Sequence, residues 1–199
     1  DVDVVCDGDG IALAHAVADS LPHKPQVNFF KTFGTAQFRH HGFDVEFVGA
    51  RKESYTSDSR KPQVEPGTIE DDQLRRDFTI NALAISLNEQ DYGKLIDPFN
   101  GVADMENKII RTPLDPDVTF SDDPLRMMRA ARFIAQIQVA PVPELTKAVV
   151  EMGERMKIVS MERVRAELDK LMVADKPSAG LWFLIDTGLV DHFFPEIRG

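Results

Sequence analysis

The chain opens on an alternation of residues. Val2, Val4 and Cys6 fall on one side and Asp1, Asp3 and Val5 on the other, a period of two that predicts a β-strand. An alanine-rich stretch over about residues 9–20 predicts a helix, which Pro22 ends. Gln26 to Phe30, Thr35 to Arg39 and Phe43 to Arg51 are rich in β-branched and aromatic residues. They predict three more strands, with His41-Gly42 as the turn between the last two. Residues 52–67 are polar and contain Pro62, Pro66 and Gly67, which predicts a mobile loop.

Beyond that loop the pattern turns helical. Thr68-Ile69-Glu70-Asp71 has a capping hydroxyl followed by acids in a first turn. Thr79 to Leu87 is apolar with mixed helix and strand character, and Leu95 to Gly101 reads as a short strand ending in a turn. Asp115-Pro116-Asp117 and Ser121-Asp122-Asp123-Pro124 are helix starts, the latter with proline just inside the first turn. Helices are then predicted over about 123–138, 143–156, 160–172, 176–187 and 189–194, with Ser160 and Glu162 close to a capping-box pattern. No internal repeat or low-complexity tract appears. The chain therefore divides into an α/β head over residues 1–112 and an all-helical section over 113–199.

Composition changes this picture little. With 43% hydrophobic and 28% charged residues among 199, the chain is an ordinary globular sequence with enough apolar surface for a real core. Its one cysteine, Cys6, excludes an intramolecular disulfide and makes a zinc cluster implausible, which fits a reducing, cytoplasmic setting. No apolar run approaches a membrane span, so no membrane partner is expected. The start on a strand implies that the natural protein begins upstream.

Charge matters more. The net charge of -10 argues against a nucleic-acid partner at first, since phosphates attract basic surfaces. The distribution is uneven, however. Residues 1–125 hold 12 basic and 23 acidic side chains, whereas residues 126–170 hold 9 basic and 6 acidic. The acidic half accounts equally well for a solvated face and for a place to gather metal ions.

Asp1 and Asp3, two apart on a strand, leave the same face about 7 Å apart. Hard cations such as Mg²⁺ want oxygen ligands, and two carboxylates at this spacing suit one ion or a bridged pair. Phe43 to Phe47 form a second acidic strand with Asp44 and Glu46 on one face. Beside the first strand it would complete a site for two-metal phosphoryl transfer. A D-x-D pair alone is common on surface strands. The same is true of the ion-pair clusters that Arg75-Arg76-Asp77 and Asp123…Arg126 would otherwise represent.

Four segments in order carry a resemblance: Asp1-Val2-Asp3, Val45-Glu46-Phe47-Val48-Gly49-Ala50-Arg51, Leu74-Arg75-Arg76-Asp77-Phe78-Thr79-Ile80-Asn81-Ala82, and Asp122-Asp123-Pro124-Leu125-Arg126-Met127-Met128-Arg129-Ala130-Ala131-Arg132-Phe133. Together they resemble the bacterial-type (class II) tRNA CCA-adding nucleotidyltransferase and poly(A) polymerase family, within the DNA polymerase β superfamily. The resemblance implies an α+β fold, a polymerase-β-like nucleotidyltransferase head with a small mixed sheet and helices, followed by an all-helical neck and body region. It also implies that Asp1, Asp3 and Glu46 are catalytic and hold Mg²⁺, the acid five residues before Arg51 pointing to Glu46 over Asp44. Arg76, Asp77 and Asn81 would then meet the nucleotide's ribose and phosphates. Asp123 and Arg126, read as neighbours on one helix face, would select CTP and ATP without a template, with Arg129 next along the stripe. Asp122 departs from the family's glutamate at that position. Asp97 reads as structural, and Arg163 as a tie between helices. The family's glycine-rich G-G-x-V-R-D segment, whose backbone N–H groups cradle the triphosphate, would lie before Asp1. Its further helical body and tail regions would lie beyond the last residue.

The activity this implies is Mg²⁺-dependent transfer of CMP and AMP to the 3′ end of tRNA, making CCA. Poly(A) synthesis, A-only addition and CC-only addition share these motifs. The 52–67 loop is present here, and its loss accompanies CC-only enzymes in this family. A non-catalytic nucleotide- or RNA-binding module is a second class, and a nucleotidyltransferase acting on a protein or small molecule a third. The sequence leaves the oligomeric state open.

Overall fold

In the first 73 residues the alternation of the strands decides which side of a sheet is dry. The computed structural model describes residues 1–31, 34–56 and 59–198. These elements run β1 Val2–Cys6, α1 Gly10–Ser20, β2 Asn28–Phe30, β3 Thr35–His40, β4 Phe43–Gly49, β5 Arg51–Thr56, β6 Ser59–Pro66, α2 Ile69–Leu74, β7 Ala84–Ile85, β8 Leu95–Ile96, α3 Gly101–Glu106, β9 Ile109–Ile110, α4 Pro116–Asp122, α5 Leu125–Ile137, β10 Ala140–Pro141, α6 Pro143–Met152, α7 Met161–Met172 and α8 Pro177–Asp186. The chain forms two compact units. One contains Asp1–Glu53 and Gln63–Gln73, the other Ser54–Pro62 and Leu74–Gly199.

The first unit is built on a four-stranded sheet in the order β1-β4-β3-β2, with β1 parallel to β4 and the other pairs antiparallel. Ala36, Phe38, Val45 and Phe47 point to one face and pack with Val4 against α1. The Phe38 and Phe47 rings lie 5.3 Å apart. Helix α1 meets this face with Ala14 and Ala18, four residues apart and both buried, so the backbones approach closely. Asp9 caps α1, accepting the Ile11 and Ala12 N–H groups at 2.9 and 3.1 Å. Gly10 is the contact point: a Cβ there would stand 2.7 Å from the backbone of Val48 and Gly49.

Two expectations are corrected here. Of the loop expected over residues 52–67, 57 and 58 lie outside the described residues, and the rest is not open, because β5 and β6 pair as a two-stranded ribbon. Its prolines hid it, since proline inside a run normally argues against a strand; each strand of a two-stranded ribbon has a free edge that tolerates one. The strand expected to run from Phe43 to Arg51 also breaks at Ala50, whose N–H donates to the Cys6 carbonyl (2.7 Å) and whose carbonyl accepts from Gly67 (3.0 Å). The start of α2 follows the sequence: Asp71 accepts the Thr68 N–H at 2.9 Å and its hydroxyl at 3.0 Å.

The second unit packs around α5. Its Met127, Met128, Ala130, Ala131 and Ala135 are completely buried, in one core with Phe78, Phe120, Leu145, Leu171 and Leu189. Short strands β9 and β10 pair in parallel, and β7 with β8 antiparallel. The helix expected over 143–156 ends at Met152, and Gly153–Ile158 continues as a 3₁₀ turn. Glycine is a poor helix interior, so the change falls there. The last helix is likewise a 3₁₀ turn, Leu189–His192. Helix α3 was not foreseen. Asp97 starts it, accepting the Gly101 and Val102 N–H groups at 2.7 and 3.0 Å, which makes Asp97 a structural cap. Ser160 stands before α7 but makes no side-chain capping bond, so the capping box does not form.

Gly10→Ala forces backbone against backbone and should cost about 1–3 kcal/mol of stability, measured by urea denaturation. The Thr68 backbone and hydroxyl hydrogen bonds hold the Asp71 carboxyl below its ordinary value of 3.8. That contribution to stability is present at neutral pH and lost as pH falls through the depressed folded value. In Thr68→Ala the Asp71 titration, followed by carboxyl NMR, should move up towards the ordinary value.

Candidate active site

The face of the sheet opposite α1 carries the acids. Asp1, Asp3, Asp44 and Glu46 line an open cleft together with Gln37. Register sets their relations: Asp3 lies directly across from Glu46 on the parallel neighbour, and Glu46 directly across from Gln37 on the antiparallel one. Asp44 lies across from Arg39, whose Nε is 3.8 Å from its Oδ1. Glu46 is thus the acid in line with Asp3, while Asp44 already has a cationic neighbour. All four carboxylates are exposed and Gln37 is half-buried.

The donors are oxygens alone, the set a hard cation such as Mg²⁺ takes. Among the described residues, no three such groups stand close enough to hold an ion as they are. Like charges on adjacent strands repel, so ligation requires the carboxylates to swing together about the cation. At the other end of β1, burial and the Asp9 and Asp7 carboxylates push the Cys6 thiol up, keeping it neutral and unreactive.

The second unit gathers the remaining candidates. Asp77 is buried, and four donors converge on its carboxylate. The Phe78 N–H and Asn81 Nδ2 donate to Oδ1, both at 2.9 Å, and Arg129 brings Nε and Nη2 to 2.6 Å from Oδ2. The 3₁₀ turn Thr79–Asn81 that presents Asn81 is held from behind. Thr79 Oγ1 donates to buried Asp104 (2.7 Å), Asp104 pairs with Arg111 (3.3 Å), and the Thr79 N–H donates to the Arg111 carbonyl (2.9 Å). Arg76 is half-buried in the segment just before Asp77.

Arg126 is 9% exposed and donates to the carbonyls of Arg75 (2.6 Å) and Thr119 (3.3 Å). Asp123 is not on the same helix face as Arg126, as the three-residue spacing predicted. It lies in extended backbone between α4 and α5, because α4 ends at Asp122 and Pro124 starts the next helix. Its Oδ1 accepts the Leu125 N–H at 3.1 Å, and Arg163 from α7 stands 3.8 Å from Oδ2. Arg163 does tie the start of α7 to this segment. Arg132 and Glu167 form a buried ion pair at 2.7 Å, with the N–H too far off line to count as a hydrogen bond. The sequence reading missed Gln37, Thr79 and Asp104. Nothing in the spacing marks them, since each acts through register or a turn.

The fold is the α+β fold of a nucleotidyltransferase head, with a helical region after it. The chain belongs to the family of the poly A polymerase head domain, whose pattern matches residues 1–111, and the pattern of a probable RNA- and SrmB-binding site of polymerase A matches residues 141–199. It is 42% identical over 156 residues to the A-adding tRNA nucleotidyltransferase of Aquifex aeolicus, covering 77% of this chain and 18% of that one. It is 38% identical over 178 residues to the CCA-adding enzyme of Levilactobacillus brevis, covering 87% and 44%. A solved CCA-adding enzyme, apo form II, superposes with a TM-score of 0.88 at 30% identity, covering 98% and 46%. The chain spans less than half the length of each of these relatives.

Removing the guanidinium from buried Asp77 leaves a charge with two donors in place of four. Arg129→Ala should therefore cost roughly 1.5–3 kcal/mol in chemical denaturation, and Asp77→Asn a comparable amount, because one of its two accepting oxygens becomes an NH₂ facing N–H donors.

Proposed function

We propose that this chain transfers CMP and AMP from CTP and ATP to the 3′ end of tRNA, without a template and in the cytoplasm, making the CCA end. The observation that carries this is the direct opposition of Asp3 and Glu46 on an exposed sheet face with Asp1 beside them. In this reading Asp1, Asp3 and Glu46 hold Mg²⁺, which when bound supplies positive charge against the triphosphate and a more acidic attacking hydroxyl. Glu46 helps take the proton from the terminal 3′-hydroxyl. The hydroxyl oxygen bonds the α-phosphorus and pyrophosphate leaves.

Arg76, Asp77, Asn81 and Arg129 serve ribose and phosphate. In this reading Arg129 turns its fork from Asp77 to phosphate oxygens, and the Asp77 oxygen it leaves accepts from a ribose hydroxyl. Asp123 and Arg126 choose the base. A carboxylate accepts from an exocyclic amino group, which cytosine and adenine carry on their pairing edges and uracil lacks there. A guanidinium donates to the adjacent ring nitrogen. The backbone bonds of Arg126 fix where its remaining N–H groups point. Among the described residues, no helix is long and apolar enough to cross a membrane.

The 42% identity to an A-adding tRNA nucleotidyltransferase favours a second reading, A-only addition. The test is incubation of the protein with Mg²⁺ and tRNA lacking its 3′ CCA, with CTP and ATP offered separately and together. Two C and then one A are expected, with incorporation abolished in Asp3→Ala. Addition of A alone moves the assignment to the second reading. No incorporation at saturating Mg²⁺ leaves a nucleotide- or RNA-binding module.

A further inference from the structure

Three clusters outside the assigned residues present themselves: the glycine-lined hollow at Gly8, Gly10, Gly34 and Gly49, the Thr79–Asp104–Arg111 brace, and the neutral residue within the carboxylate cleft. The hollow is also lined by Asp9, Arg51 and Glu65, charges of both signs that single out no one ligand, and the brace holds a turn. The third goes further. We propose that Gln37 is a positioning residue for Glu46, holding that carboxylate for a divalent cation; this rests on the reading of Asp1, Asp3 and Glu46 as metal ligands.

A polar ladder crosses all four strands. Asp3 is registered on Glu46, Glu46 on Gln37 and Gln37 on Asn28. Residues directly opposite on antiparallel strands have Cβ atoms about 5 Å apart, so the Gln37 amide is within reach of the Glu46 carboxylate. The next pair along β3 and β4 shows what a base does in this position. Arg39 lies opposite Asp44 and stands 3.8 Å from its carboxylate. A guanidinium opposite Glu46 would compete with a metal ion for the same oxygens.

An aliphatic side chain there would leave Glu46 to turn away from its like-charged neighbours. Glutamine does neither. Its NH₂ can donate to one Glu46 oxygen and fix the rotamer, and its neutrality leaves the charge of the carboxylate to the cation. Gln37 is half-buried while the four carboxylates around it are exposed, so it is the more constrained member of the cleft.

The test is Mn²⁺ binding to the full chain, read from the electron paramagnetic resonance of free Mn²⁺, with thermal unfolding as the check on folding. Gln37→Leu should weaken Mn²⁺ binding about tenfold, the scale of losing a residue that orients a ligand. Gln37→Arg should weaken it further, and Gln37→Asn, which keeps the amide donor on a shorter arm, should lose less than Gln37→Leu, with all three variants folded. Unchanged affinity in Gln37→Leu and Gln37→Arg, alongside loss in Glu46→Gln, overturns the role of Gln37 and leaves the carboxylate reading intact. Unchanged affinity in Asp3→Ala and Glu46→Gln as well overturns both.

Discussion

The register between β1 and β4 is the constraint on which the first unit depends. Strand side chains alternate, so shifting β4 by one residue would turn Phe47 and Val45 to water and Glu46 to the helix, and shifting β1 would do the same to Val4 and Asp3. The buried face therefore enforces the exposed one. Phe38, Phe47, Ala36 and the alanines of α1 supply the apolar contact that pins the sheet. As a consequence Asp3 meets Glu46, and not Asp44. The chemistry of the cleft depends on packing on its far side, and Gly10 sets how closely the helix seats there.

In the second unit the problem is the opposite one, holding charges that are largely dry. A buried carboxylate is tolerable when its lone pairs are met, and Asp77 meets this with a backbone N–H, an amide and a guanidinium. Arg126 solves the same problem with carbonyls, one at Arg75 and one at Thr119. The two side chains thus join the segment around Asp77 to α5 through bonds with defined directions. Apolar packing of Phe78 against Phe133, edge to face at 5.6 Å, gives the contact its area but not its angle.

The parts legible in the sequence were those with a period. The β1 alternation, the α1 cap region and the helices from Leu125 onward were read from spacing, and the motif residues from their resemblance to a family. Features set by pairing between distant segments were not legible. The β5–β6 ribbon was hidden by prolines that its free edges tolerate. Helix α3 has six residues and a cap four positions ahead of its first residue, outside the usual start pattern. Asp123 was placed on a helix because three residues separate it from Arg126, yet Pro124 puts the helix start after it. Gln37 had no signal, because its neighbour Glu46 is nine positions away and is brought opposite by the β3–β4 hairpin.

Overall charge looks like an obstacle to nucleic-acid chemistry until its placement is considered. A net charge of -10 on 199 residues would repel phosphate if it were spread evenly. Here four of the acids share one sheet face, where their mutual repulsion is the very condition that favours a divalent cation. In the proposed reading a cation drawn there offsets part of this local charge without requiring a basic surface. The arginines between residues 126 and 170 are partly committed within the fold, Arg126 to carbonyls, Arg129 to Asp77 and Arg132 to Glu167. They are fixed geometry more than a source of diffuse attraction, so in the proposed reading recognition depends on where a few groups are held, and less on how much charge the chain carries.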